Sequence, residues 1–275
     1  MHRCQVNRQL LSIRFFEKTS LLPKDFYVQI VKISIIHLLS IHIKDIYMPI
    51  ERKNTLGDVV EGLEGAIQIA FQMIFWPLTL KSRNRWGATI EETEMVLPGD
   101  NLIPNPKVGY THAISIQRPK IQVWPWVAQL GQGRGGFYSY QALENIAGCQ
   151  IYNTEEILPE YQELTSLSGI ALHPKMPAVP LHSYQVNDYL LLHADSLIGQ
   201  TTDQKSDDTD FIKVSWLFHM REIAPSITRL ISRWRSNFPN TFAAKMGYGA
   251  PITGSMAHVM DVKMLKGIKK RAEKI

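Results

Sequence analysis

Four polar residues in or beside apolar runs look able to do chemistry: His173, His193, Asp195 and Glu144. A histidine near a carboxylate can pass a proton as a general acid–base pair. No Gly-x-Ser-x-Gly or His-Glu-x-x-His motif accompanies them, so neither a nucleophile elbow nor a zinc helix supports hydrolysis. Histidines at strand ends that only hydrogen-bond are the plainer account. Glu144, in a short helical stretch, either turns into an interior cavity or caps the helix and faces solvent. Gly131-Gln132-Gly133-Arg134-Gly135-Gly136 satisfies G-x-G-x-x-G. A dinucleotide fingerprint needs a strand before it and a helix opening at its end. Here a Trp-rich helical segment precedes it, so the glycines are expected only to reverse the chain between two short helices. Arg134 in that loop is either a surface charge or the group that meets an anionic part of a ligand. The acidic run from Asp203 to Asp210 lacks the glycine and terminal glutamate of a calcium loop. No metal and no cofactor are expected.

A second set is apolar. Trp124, Tyr138, Tyr140, Trp216, Phe218 and Trp234 could wall a ligand cavity, since Tyr and Trp join an apolar face to a polar tip. Core packing is the competing account for each of them taken singly. Met256 and Met260 recur at helical spacing near the C-terminus, where methionine either fills a core or adapts to a ligand. Arg229, Arg233 and Arg235 alternate with Leu230, Ser232 and Trp234, which reads as the solvated outer face of a strand.

Elements must position these residues. Thr55, with Asp58 three residues later, opens a helix to about residue 80 in a capping-box arrangement, with Pro77 bending its last turn. Residues 81–110 read as a mostly extended connector with a turn at Pro98-Gly99-Asp100. A strand at 111–116, a helix at 120–130 and a short helix near 139–147 follow. Apolar runs at 169–173, 179–186 and 189–194 come next, then a polar loop at 199–210. Alternating segments at 211–220 and 226–236 form a hairpin around Ile223-Ala224-Pro225. A long amphipathic helix at 253–274 closes the chain, with Val259, Met264 and Ile268 on its apolar face.

The 275 residues, 45% hydrophobic and 20% charged, suffice for a sizeable core. The formal charge of +5 belongs to the ends: residues 51–260 hold 17 basic and 20 acidic side chains. A slightly acidic body argues against nucleic acid as partner. Cys4 and Cys149 make no disulfide framework or Cys-x-x-Cys pair, so a reducing, cytoplasmic setting is expected, with no signal peptide. Residues 65–80 are apolar, with basic Lys81, Arg83 and Arg85 after them. Such a run rises only ~24 Å as a helix, short of the ~30 Å hydrocarbon core, so packing on the body or peripheral membrane contact is expected rather than a span. Met48 is a second candidate start, which would make the first 47 residues an appendage.

The chain resembles the START/SRPBCC superfamily of helix-grip proteins, which includes polyketide cyclases and pollen-allergen-like proteins. The resemblance rests on Arg85-Trp86-Gly87-Ala88-Thr89, Leu97-Pro98-Gly99-Asp100, the Val-Trp-Pro-Trp run at 123–126 and the segment Gln129 to Tyr140. Leu143-Glu144-Asn145 and the terminal segment Lys263 to Glu273 add to it. Within the superfamily these motifs look like one bacterial SRPBCC group without a settled reaction. The resemblance implies an α+β helix-grip domain over 85–275, a curved antiparallel sheet wrapped around the C-terminal helix, preceded by a helical extension over 1–84. It also implies an internal cavity for a hydrophobic small molecule or lipid. A cyclase- or dehydratase-like enzyme, or a membrane-associated interaction protein, is the alternative.

Overall fold

The computed structural model describes residues 55–165, 169–174, 178–195 and 211–274. Expectations for residues 1–54, including Cys4 and Met48, and for the acidic loop lie outside these residues. The fold is mixed α+β: an open six-stranded antiparallel sheet in the order β1-β6-β5-β4-β3-β2, with a long C-terminal helix along one face. The strands are β1 (Val108–Ile116), β2 (Gly169–Ile170), β3 (Val179–Gln185), β4 (Tyr189–Asp195), β5 (Lys213–Ala224) and β6 (Ile227–Asn237). The helices are α1 (Leu56–Ile74), α2 (Trp76–Arg83), α3 (Ile90–Glu94), α4 (Lys120–Ala128), α5 (Gln141–Ile146), α6 (Phe242–Gly247) and α7 (Thr253–Lys274).

Strand alternation sorts the side chains onto two faces. Ile116, Leu190, Leu192, Trp216, Phe218 and Leu230 point toward α4 and α7 and join Val123, Trp126, Met264, Leu265 and Ile268 in the main core. Ala113, Leu191, Leu217 and Ile231 point the other way, where Leu97, Met95 and Leu102 cover them. Gly267 lets α7 cross the Tyr138 loop at close range, because a Cβ there would stand 2.2 Å from the Tyr138 carbonyl oxygen.

Three expectations need correction. The helix begins where expected, with both capping-box bonds at Thr55 and Asp58, but it breaks at Phe75 rather than bending later. Pro77 has no N–H, and its ring crowds the carbonyl four residues back. The two helices meet at 109° as a result. The connector is not mostly extended: Thr89 and Glu92 form a second capping box that starts α3. The arginine face of β6 is not solvated. Arg233 is buried, donating to Thr111 Oγ1, Asp100 Oδ2 at 2.6 Å and the carbonyls of Glu92 and Met95. Arg229 grips Glu92 at 2.7 Å, and Arg235 reaches Asp100 and the carbonyls of Ile103 and Pro104. The connector supplies carbonyls and two carboxylates, and the strand supplies the donors that hold it down.

Candidate functional site

The four acid–base candidates do not converge. His193 and Asp195 project from the sheet face opposite α7, like their neighbour Leu191. His193 Nδ1 bonds the Val214 carbonyl at 2.8 Å, and Asp195 pairs with Lys213 at 2.7 Å. His173 lies in the turn after β2, near Gly148. Glu144 is separate again: its carboxyl accepts from Ser139 Oγ at 2.5 Å, and its Oε2 is enclosed without a hydrogen-bond partner. Burial pushes the Glu144 carboxyl up to about 7, against the opposing Ser139 bond, and pushes the neighbouring Cys149 thiol up to about 12.

The structure joins a different set of polar residues. His112, on β1, is fully buried, with Nδ1 2.6 Å from Asp261 Oδ2 and Nε2 2.7 Å from the Arg83 carbonyl. Ser232 Oγ donates to Asp261 Oδ1 at 2.8 Å and accepts from the Trp216 indole N–H at 3.1 Å. The Tyr110 ring stacks on His112 at 4.1 Å. Burial, then the Asp261 charge, holds that phenol well above its ordinary value. His258 Nδ1 stands 3.4 Å from His112 Nε2, and burial followed by the neighbouring His112 and Arg83 lowers it to about 3. Arg83 itself reaches Ser255 Oγ and the Ala250 carbonyl.

This network has the residue types of a Ser-His-Asp constellation but not its order. The carboxylate sits between serine and histidine, so Ser232 has no base, and the outer nitrogen of His112 is closed by a backbone carbonyl. Its effect is to tie β1, β6 and α7 to the end of α2. Sequence reading missed it because β1 and α7 look simply amphipathic. A histidine and an aspartate on apolar faces of separate elements were the available signal.

The aromatic set is placed inside. Trp124, Tyr138, Tyr140, Trp216 and Phe218 are buried, and Trp234 is half-buried against the same core. Trp216 packs on both Phe218 and Trp234, while the Tyr138 hydroxyl accepts from Gln129 Nε2 and its ring receives Arg271 at 4.6 Å. Tyr140 receives Lys263 at 5.0 Å. Met256 and Met260 on α7 are half-buried and outside the core clusters, unlike Met264. These side chains fill the interior instead of lining an open chamber.

Two spaces remain. A cleft of about 400 Å³ lies along the β1 edge, lined by Asn84, Arg85, Thr93, Arg233 and Arg235 among others. Arg233 and Arg235 are already engaged by the connector, so this cleft reads as the flank of that clamp. The second is a seam between the glycine loop and strands β2–β4, walled by Leu164, Ile170, Leu181, Leu190 and Leu192, with a void of about 10 Å³. That holds one water at most. Arg134 lies in its lining. The loop reverses as expected, with Gly131, Gly133 and Gly136 at positive φ and Gly131 bridging Gly136.

Arg134 donates to the Ala128 carbonyl at 2.7 Å and stacks on Tyr161 at 4.8 Å. Its Nε is buried with no hydrogen-bond partner, and among the described residues no carboxylate pairs with it. Burial lowers its pKa from the ordinary guanidinium value. An arginine so placed at the end of an aliphatic wall can receive an anionic oxygen. Among the described residues no histidine, cysteine and carboxylate cluster could hold a metal ion.

No family model and no curated protein matches the chain. Among solved structures it is similar to a conserved protein from Geobacillus kaustophilus, with 12% identity over 61% of this chain and 96% of that one, at a TM-score of 0.33. It is also similar to a conserved protein of unknown function from Enterococcus faecalis, with 14% identity over 60% of this chain and 83% of that one, at a TM-score of 0.21. Neither likeness is close enough to assign the chain to a family.

Proposed function

We propose that the chain is a helix-grip protein of the START/SRPBCC type that binds a hydrophobic small molecule or lipid bearing an anionic group. The reading rests on one observation: the Arg134 guanidinium borders the aliphatic seam with a buried, unpartnered Nε and no carboxylate beside it. The apolar body of the ligand enters between the glycine loop and Leu181, Leu190 and Leu192, and its anion meets Arg134. The seam must open to admit it, and the two-residue β2 makes the shortest pairing in the sheet. Binding is favoured over catalysis because no acid–base pair borders the seam among the described residues.

Decanoate and decanol, titrated against the full chain by tryptophan fluorescence, separate the elements of this reading. The carboxylate ligand binds at least about tenfold more tightly, from a charge-assisted bond worth about 1.5–3 kcal/mol. Arg134→Leu removes that preference and leaves decanol binding in place. Equal affinities in the native chain, or no binding of either, refute the reading. A second reading, favoured by the exposed apolar side chains of α1, adds attachment of the domain to a membrane.

A further inference from the structure

Among the described residues no single helix is long and apolar enough to cross a membrane. Yet α1 turns its apolar residues outward. Leu56, Val60, Leu63, Ile67, Phe71 and Ile74 are all exposed, Ile67 at 62% and Ile74 at 70%. They advance by five steps over eighteen residues, the period of a straight helix. A coiled-coil seam would instead keep the 3.5-residue repeat that winds around a partner helix. A stripe of this period runs straight along the helix and so matches a flat apolar surface.

The stripe cannot rotate inward. Gly62 and Gly65 are the buried positions of α1 and lie on α5. A Cβ at Gly65 would stand 2.8 Å from Tyr140 Cγ and from Leu143 Cδ1, so only this face of the helix fits the body. Past the break, α2 continues with exposed Leu78, at 82%. Phe71 and Phe75 pack in a tilted pair at 4.8 Å beside Trp76 at the corner, residue types found on the apolar face of interfacial helices.

Charge complements the apolar face. Lys81 and Arg85 are exposed beyond the corner, and exposed Lys266 of α7 stands over the Trp86 ring at 5.6 Å. Each acid of α1 has a hydrogen-bond or ion-pair partner. Asp58 caps Thr55, Glu61 pairs with Lys263 at 3.0 Å, and Glu64 accepts from Gln68. Of the three, only Glu61 is neutralised by a cation, so the cationic ground lies past the corner, at Lys81, Arg85 and Lys266.

We propose that α1 and α2 lie in the plane of an anionic bilayer surface, with the stripe among the acyl chains and Lys81, Arg85 and Lys266 against lipid phosphates. The inference rests on the attachment reading and deepens it by naming the surface, its orientation and the lipid charge. A bend of 109° suits two helices lying at an interface and not a continuous span.

Flotation of the full chain tests it, with vesicles of phosphatidylcholine containing phosphatidylglycerol and vesicles of phosphatidylcholine alone. The native chain floats with the anionic vesicles. The double variant Ile67→Asp/Phe71→Asp, altered only at exposed positions, loses at least about a hundredfold in binding and keeps its thermal melt. Lys81→Gln and Lys266→Gln each weaken binding about fivefold and leave the stripe intact. If the aspartate variant floats as well as the native chain, attachment stands but this surface is not its means. If binding ignores phosphatidylglycerol, the anionic component is overturned. If the native chain floats with neither vesicle, attachment and this inference fall together. A dimer in sedimentation equilibrium that only the aspartate variant loses would then assign the stripe to a second copy.

Discussion

Replacing Asp261 by alanine isolates the buried network that ties α7 to the sheet. One carboxylate receives His112 at 2.6 Å and Ser232 at 2.8 Å, and both of these partners are fully buried. Each such bond to a charged acceptor is worth about 1.5–3 kcal/mol, but bonds sharing one acceptor do not add. Breaking a buried charged pair by removing one partner costs about 3–5 kcal/mol, which sets the expected loss. For a protein of this size that is a fall in Tm of roughly 6–20 °C. Urea unfolding followed by tryptophan emission is a suitable assay, because the Trp216 indole N–H bonds Ser232 within the same network. The double change His112→Leu/Asp261→Ala should then cost less than the sum of the two single changes, by about 1 kcal/mol or more. A loss under about 1 kcal/mol for Asp261→Ala, or strict additivity in the cycle, would refute the claim that this carboxylate organises its neighbours.

Glu144 and Arg233 give two further tests. With its carboxyl raised from 4.5 to about 7, Glu144 keeps a proton in the folded state that the unfolded chain has lost. Its contribution is therefore present at low pH and disappears as pH rises through that window, by up to about 3 kcal/mol. Glu144→Gln should remove this decline between about pH 5 and pH 8, measured by urea midpoints; an unchanged slope would mean the carboxyl is not buried as described. Arg233→Met keeps the apolar stem but strands two connector carbonyls and leaves Asp100 with Arg235 as its one remaining cation, for an expected loss of about 3 kcal/mol. A solvated arginine would cost about 0.5 kcal/mol or less, so a small loss in chemical denaturation would return β6 to an open face.

Periodicity made the strands, the hairpin and α7 legible, because each has one face on the core and keeps its repeat for several turns or residues. Thr55 and Asp58 disclosed the start of α1 through the same capping chemistry that reappears, unread, at Thr89 and Glu92. Alternation put Arg229, Arg233 and Arg235 on one face correctly. It could not show that a connector from more than a hundred positions earlier folds over them, since partners that distant leave no local pattern. The same holds for His112 and Asp261, 149 residues apart. Arg134 stood out through the glycines that place it, yet its missing counter-charge is visible only in three dimensions. The aromatic residues were legible as interior, whereas the space they leave among themselves depends on packing that composition does not encode.

The two ends of the sheet have a consequence for self-association. An open sheet exposes a row of N–H and C=O groups at each border, which another strand can extend. Along β1, Thr111 and Ala113 donate to the carbonyls of Asn84 and Trp86, so the chain occupies part of its own border. At the opposite border β2 pairs only with Val179 and Pro180, and β3 from Leu181 to Gln185 pairs with β4 alone. With the β1 border partly occupied, strand addition is directed toward that stretch of β3. Copies of this protein that meet in a crowded solution have, among the described residues, a stretch of about five residues on β3 along which one chain could extend the sheet of another.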